Sequence, residues 1–248
     1  MSELPEAKPL NVDKYANMDL QEFPFAELEN NYGEIETYHL DVISSLEKTD
    51  VPSPVVIFIH GGGFLTLFNK RQGYVPKFAR ALTEAGYVVI SPDYPSFNTV
   101  EDRDAAGGYP VAADRAATAI HAAYKYIQQH AEALKLNTSR IAIMGGSAGG
   151  MTAFSAIANY DDEYRLFVNC WGAPPVLPSL AGFPPVLSIH GTADQSVDYS
   201  LEFPIQEALE ALGIRHELIT LVDAKHTPTK RFPEYIPTIL SYLEDTMK

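Results

Sequence analysis

The run Val55-Val56-Ile57-Phe58-Ile59 is continuously apolar, the pattern of a strand buried on both faces of a mostly parallel sheet. Short apolar runs of the same kind recur at Tyr87 to Ile90, Leu166 to Cys170 and Pro185 to Ile189, and His216 to Leu221 completes the series as the last strand. Helical patterns lie between them. Tyr74 to Ala85 is stopped by Gly86, Pro110 opens a long Ala-rich segment reaching about Leu134, and Met151 to Ala158 follows a glycine-rich turn. Tyr199 to Leu212 ends at Gly213, and Phe232 to Met247 closes the chain. In the long helix, Val111, Ala119, Ile120, Ala123 and Ile127 fall on one buried side. Buried strands alternating with helices predict an α/β layered domain, a mostly parallel sheet with helices on both faces.

Two stretches lack this regularity. Residues 1–30 mix Pro, Asn, Asp and Glu without strong periodicity, which predicts an N-terminal arm, with Tyr15, Phe23 and Phe25 favouring its wrapping over the body. Residues 31–248 are then a single domain; Ile35, Tyr38, Leu40 and Val42 mark an edge strand or hairpin arm. The connection from Ser91 to Gly108 is rich in Asp, Asn, Pro and Gly, and a functional rim or mobile loop is expected there. A chain of 248 residues buries one large core, and no repeat, heptad seam or linker divides it.

Composition narrows the partners. No apolar run approaches a membrane span, and the acidic start Met1-Ser2-Glu3-Leu4-Pro5-Glu6 lacks the basic and apolar regions of a secretory signal, so a cytoplasmic location is expected. A net charge of −14 argues against nucleic acid or an anionic membrane as a partner. A small-molecule or carbohydrate substrate is compatible with it, and a homodimer is left open. The single Cys170 lies in the apolar run Leu166 to Trp171 and reads as a buried core thiol. No metal and no cofactor is expected.

The candidate chemistry centres on Ile141-Ala142-Ile143-Met144-Gly145-Gly146-Ser147-Ala148-Gly149-Gly150, where a β-branched run turns through small residues into a helical pattern. Such a turn strains the serine backbone, and only glycine-sized neighbours at Gly145 and Gly149 let strand and helix approach closely. A phosphate loop would carry a Lys after the glycines, and none is present. In parallel sheets reactive groups gather beyond the carboxyl ends of the strands. Two further candidates obey that rule, Asp194 of His190-Gly191-Thr192-Ala193-Asp194 and His226 of Asp223-Ala224-Lys225-His226-Thr227. The order Ser, Asp, His is that of the α/β-hydrolase arrangement, in which histidine takes the serine proton and the carboxylate holds the imidazole in its useful tautomer. Asp198 is the alternative acid, and His60 and His190 are expected to brace their glycine turns. The glycines of His60-Gly61-Gly62-Gly63 allow the amides of Gly62 and Gly63, with that of Ala148, to hold a tetrahedral oxyanion.

These motifs, HGGGF at 60–64, SPDYP at 91–95, YPVAAD at 109–114, SRIAIMGGSAGG at 139–150 and HGTAD at 190–194, resemble those of the α/β-hydrolase carboxylesterases of the hormone-sensitive-lipase-like and carbohydrate-esterase-like groups. The resemblance implies Ser147, Asp194 and His226 as a catalytic triad and Gly62, Gly63 and Ala148 as the oxyanion site. Only 47 positions separate Ser147 from Asp194, which leaves no room for a large cap. An open site for short acyl esters such as acetyl, or for hydroxycinnamoyl esters, is therefore expected, walled by Ser91 to Gly108 and Gly172 to Pro184. Trp171 is placed either in the acyl pocket or in the core. An arylformamidase, a small peptidase and a non-catalytic ligand-binding protein on the same fold are the alternatives.

Overall fold

The computed structural model describes residues 4–10, 12–47, 49–174 and 176–247. In chain order its elements are β1 (Lys8–Pro9), β2 (Met18–Glu29), β3 (Ile35–Ser45), β4 (Ser53–Ile59), α1 (Val75–Glu84), β5 (Val88–Pro92), α2 (Val100–Ala105) and α3 (Gly108–His130). There follow β6 (Leu136–Gly146), α4 (Ala148–Asn159), β7 (Leu166–Cys170), β8 (Val186–Gly191), α5 (Glu202–Ala211), β9 (His216–Leu221) and α6 (Phe232–Thr246). The strands form one nine-stranded sheet in the order β1-β2-β3-β5-β4-β6-β7-β8-β9. From β5 to β9 all neighbours are parallel, whereas β1, β2 and β3 add an antiparallel flank. This is the α/β-hydrolase fold, and among the described residues no large cap covers it.

Strand periodicity explains the two layers. Along β4, Val55, Ile57 and Ile59 join a core with residues of α3, α4 and α5, while Val56 and Phe58 face the other way into a core shared with α1 and α6. Because β4, β6, β8 and β9 are parallel, the segments that follow them emerge at one edge of the sheet. Those segments carry the glycine loop, Ser147, Asp194 and His226. Cys170 is buried at the end of β7, and burial pushes its thiol well above the usual range. Among the described residues, no helix is long and apolar enough to cross a membrane.

The structure departs from the sequence reading in three segments. The stretch expected as an arm contributes a twelve-residue strand, β2, paired with β3 from Met18 to Glu29. Met18 and Leu20 enter one core and Phe23 the other, and the polar residues between them mask that alternation. Consequently β3 is the second arm of a hairpin with β2, one of the two alternatives expected, and it is not an edge strand but lies between β2 and β5. The connection 91–108 is not wholly irregular either: it contains α2, whose N-cap Thr99 accepts the amide of Asp102 at 3.1 Å.

A charge cluster ties this flank to the segment after the glycine loop. Arg71 donates from Nε to Asp41 at 2.7 Å and from Nη2 to the other oxygen at 2.6 Å, and it also pairs with Glu22. Lys70, itself buried, pairs with Glu22 at 3.2 Å and with Asp93. Asp41 is fully buried, and that burial raises its carboxyl above the usual range despite the bidentate arginine. Arg71→Ala is expected to lower the unfolding free energy by about 3 kcal/mol or more, because it strips a partner from a buried carboxylate. Urea denaturation measures this, with Arg71→Met combined with Asp41→Leu recovering most of the loss. A cost under about 1 kcal/mol, the range of exposed pairs, contradicts a structural role for the cluster.

Candidate active site

Strand β6 ends at Gly146 and α4 starts at Ala148, so Ser147 alone makes the turn, with φ 56° and ψ −121°. A non-glycine residue held there costs roughly 1–3 kcal/mol. The surroundings offset it: the Ser147 amide donates to the Cys170 carbonyl at 2.9 Å, and its own carbonyl accepts from Gly150 at 2.9 Å and Met151 at 3.1 Å. Packing also dictates the flanking glycines. A Cβ on Gly149 would lie 2.1 Å from the Ile59 carbonyl oxygen, and one on Gly145 would lie 2.2 Å from that of Gly149. Neither distance is tolerable, so α4 can cross the ends of β4 and β6 only with these residues.

The structure brings Ser147, His226 and Asp194 into one hydrogen-bonded run. His226 Nε2 is 2.9 Å from Ser147 Oγ, and its Nδ1 is 2.7 Å from Asp194 Oδ2. An ionised carboxylate only accepts, so Nδ1 carries the proton and the Nε2 lone pair faces the serine hydroxyl. Asp194 has a fully buried side chain, and its Oδ1 accepts the amides of Ser196 at 2.8 Å and Val197 at 3.0 Å. Asp198, the alternative acid, instead accepts the Ser200 amide at 2.8 Å at the start of a short 3-10 turn. His226 lies in the loop after β9, between Asp223 and Thr227, both at positive φ.

The glycine loop is braced by residues that no motif signalled. The Tyr74 hydroxyl accepts the Gly61 amide at 2.8 Å and donates to the Gly146 carbonyl at 3.3 Å, bridging loop and elbow. Gln72 donates to the Gly61 carbonyl at 2.8 Å, and Arg103 Nη1 donates to the Gly63 carbonyl at 3.0 Å. The Arg103 guanidinium also sits 3.9 Å over the Tyr109 ring. His60 braces the turn as its position suggested: Nδ1 donates to the Gly61 carbonyl at 2.8 Å, and its ring stacks on Tyr94. Complete burial pushes its pKa down to about 4, so it is neutral. Gly62 has φ 116°, and a Cβ there would lie 2.4 Å from Phe68 Cβ. Only glycine fits that position.

A cavity of about 220 Å³ opens beside Ser147. Gly63 and Ala148 line it, whereas Gly62 lies one residue back beneath Phe68. Ala148 is in the first turn of α4, where an amide has no intrahelical acceptor. Met151, Ala173 and Pro174 supply walls, with Tyr109 and Leu201 at 39% and 43% exposure. The second expected wall segment is thus represented by Ala173 and Pro174. The first reaches the site through Arg103 beneath the glycine loop, and residues 196–201 form a wall that the sequence did not signal. Trp171 is fully buried edge-on to Tyr74 and packs in the core.

The family model described as BD-FAE matches residues 40–170, just over half of the chain. A non-reducing polyketide synthase of Preussia isomera is 26% identical over 171 residues, which are 67% of this chain but only 7% of the synthase. Among solved structures, a bacterial heroin esterase superposes with a TM-score of 0.74 at 19% identity, covering 94% of this chain and 86% of its own. A truncated carbohydrate esterase from gut microbiota gives 0.71 at 18% identity over 97% and 99%. At these identities the superpositions speak to the fold, which is that of known esterases. The family match contains the glycine loop and the elbow, and on that match the chain belongs to the BD-FAE family.

Proposed function

We propose that this protein is a serine carboxylesterase acting on short-acyl esters, with Ser147 as nucleophile, His226 as general base and acid, and Asp194 as the group that orients it. The observation that carries this reading is the hydrogen-bonded run from Asp194 through His226 to Ser147 Oγ. A serine hydroxyl is a poor nucleophile until an adjacent base takes its proton. Here the lone pair of His226 Nε2 faces that proton, and Asp194 stabilises the imidazolium formed on transfer. Ser147 Oγ attacks the ester carbonyl, and the oxygen that becomes negative is held by the amides of Gly63 and Ala148, with Gly62 completing the turn. His226 returns the proton to the departing alkoxide. Water, deprotonated in the same way, then releases the acid from the acyl-enzyme.

The substrate class follows from the cavity. At about 220 Å³ it is smaller than the roughly 300–1,000 Å³ of sites for drug-sized ligands, which suits an acetyl or similarly short acyl group. The exposed faces of Tyr109 and Leu201 offer an open mouth to the alcohol, and a carbohydrate acyl ester, the class named for one structural neighbour, is the natural substrate we favour. All three members of the run are retained, which favours an enzyme over a ligand-binding protein.

Nitrophenyl esters from acetyl to dodecanoyl, with acetylated sugars, a feruloyl ester and N-formylkynurenine, test both parts. The rate is expected to peak among the shortest acyl groups. Were the pocket to keep accepting methylenes, each would add about 0.8 kcal/mol of burial and the rate would climb beyond octanoyl, contradicting the assignment. Faster turnover of the N-formyl amide than of any ester would instead identify an arylformamidase. Ser147→Ala is expected to abolish turnover.

Activity is expected to fall on acidification, because an imidazolium cannot accept the serine proton. A profile that stays flat down to the pH at which the protein unfolds removes His226 as the base. Arg103→Met leaves the Gly63 carbonyl without its donor. It is expected to lower kcat about tenfold, the equivalent of one charged hydrogen bond at about 1.4 kcal/mol, with KM little changed. An unchanged kcat shows that Arg103 does not position the loop.

A further inference from the structure

Behind the carboxylate of Asp194 lies a second histidine that the reaction described above does not use. His190 is fully buried on β8, and it braces the turn that follows, as its position suggested, through Val197 and Asp194. Its Nδ1 is 3.0 Å from Glu202 Oε1, and its Nε2 is 3.0 Å from the Val197 carbonyl and 3.3 Å from Asp194 Oδ2. Both ring nitrogens face only oxygen acceptors, so a doubly protonated ring satisfies the site. Glu202 is likewise fully buried, at the first position of α5, where the helix dipole favours a negative charge. Asn169 donates to Glu202 Oε1 at 3.1 Å and Gln206 to Oε2 at 3.3 Å, which leaves the carboxylate well supplied with donors.

We propose that His190 and Glu202 form a buried ion pair that positions Asp194 and, through it, the Ser147–His226 pair. The inference rests on the esterase reading for its kinetic part. In this arrangement Asp194 accepts three hydrogen bonds, from Ser196, Val197 and His226, while His190 Nε2, whose proton goes to the Val197 carbonyl, adds a charge contact at 3.3 Å. The two amides fix the plane of the carboxylate, and His190, by binding the Val197 carbonyl, holds one of the residues that donate them. His190 and Glu202 are positioning residues, since neither reaches the cavity.

The electrostatic consequence has a definite sign. Glu202 and Tyr199 face His190 from the α5 side, Asp194 and Asp198 from the β8–α5 loop, Asn169 from β7, and His226 across Asp194. Burial disfavours the His190 cation, but the bonds to Glu202, helped by Val197 and Asp194, outweigh it and raise its pKa.

Nitrogen-15 NMR of the histidine rings in the full-length protein tests the charge state without needing any substrate. The expected result is that both His190 nitrogens carry protons at neutral pH in the native protein and that one is lost in Glu202→Gln. A singly protonated His190 in the native protein overturns the proposal, whether or not any ester is turned over. The kinetic arm compares Ser147 labelling by a fluorophosphonate at neutral pH in native protein, Glu202→Gln and Glu202→Asp. Glu202→Gln is expected to label on the order of tenfold more slowly, and Glu202→Asp, which keeps the charge, to recover most of that loss. An unchanged labelling rate in Glu202→Gln, even with a lowered melting temperature, reduces the pair to a structural role and overturns the proposal. Absence of ester hydrolysis by the native protein would count against the esterase reading alone, because the NMR result stands independently of it.

Discussion

The tightest constraint in the molecule is the crossing of α4 over the ends of β4 and β6, where main chain meets main chain with no room for a side chain at Gly149. This contact fixes Ser147 in its positive-φ conformation and lifts its hydroxyl out of the sheet edge. It also fixes how far the glycine loop stands from the elbow, because Ile59 and His60 are the residues that α4 touches. Tyr74 then joins loop to elbow, and the aromatic core of Phe58, Phe78 and Trp171 holds Tyr74. The strain at one serine is thus carried by two buried strands and a helix, elements stiff enough to hold it.

Electrostatics adds a second layer to this frame. The polar groups at the sheet edge are paired in tiers: Asp194 holds His226, His190 contacts Asp194, and Glu202 holds His190. On the other side, Lys70 and Arg71 tie the segment leading to Gln72 and Tyr74 to carboxylates on β2, β3 and the end of β5. A buried ionic group is tolerated only where its partners are complete, and both clusters meet that condition around segments that deliver groups to Ser147. The antiparallel flank, remote from the reaction, is in this way part of what holds the glycine loop.

The arrangement of the candidate site was legible in the sequence because it depends on short local patterns. Continuous apolar runs gave the central strands, and glycine spacing at Gly145 and Gly149 gave the elbow. The strand-end rule then brought Asp194 and His226 forward, and the structure places them together with Ser147. What was not legible depends on partners distant in sequence. Arg103 matters because it meets Gly63, and Glu202 because it meets His190; neither stands out in a helix of ordinary composition. Strand β2 does not stand out in the sequence, because Met18 and Leu20 serve one core and Phe23 the opposite one, with polar residues between them. The Thr99 cap with Asp102 three residues later was readable and marks α2.

The central claim is that Ser147 carries the acyl group between two half-reactions. Rapid acid quenching of the native protein with nitrophenyl butyrate, followed by intact-mass analysis and peptide mapping, tests it most directly. The account predicts a mass increase of one butyryl group on the peptide containing Ser147, formed before steady state and absent in Ser147→Ala. Butyryl transfer to any other residue, or hydrolysis that proceeds with no trapped acyl group and survives the substitution, would contradict it.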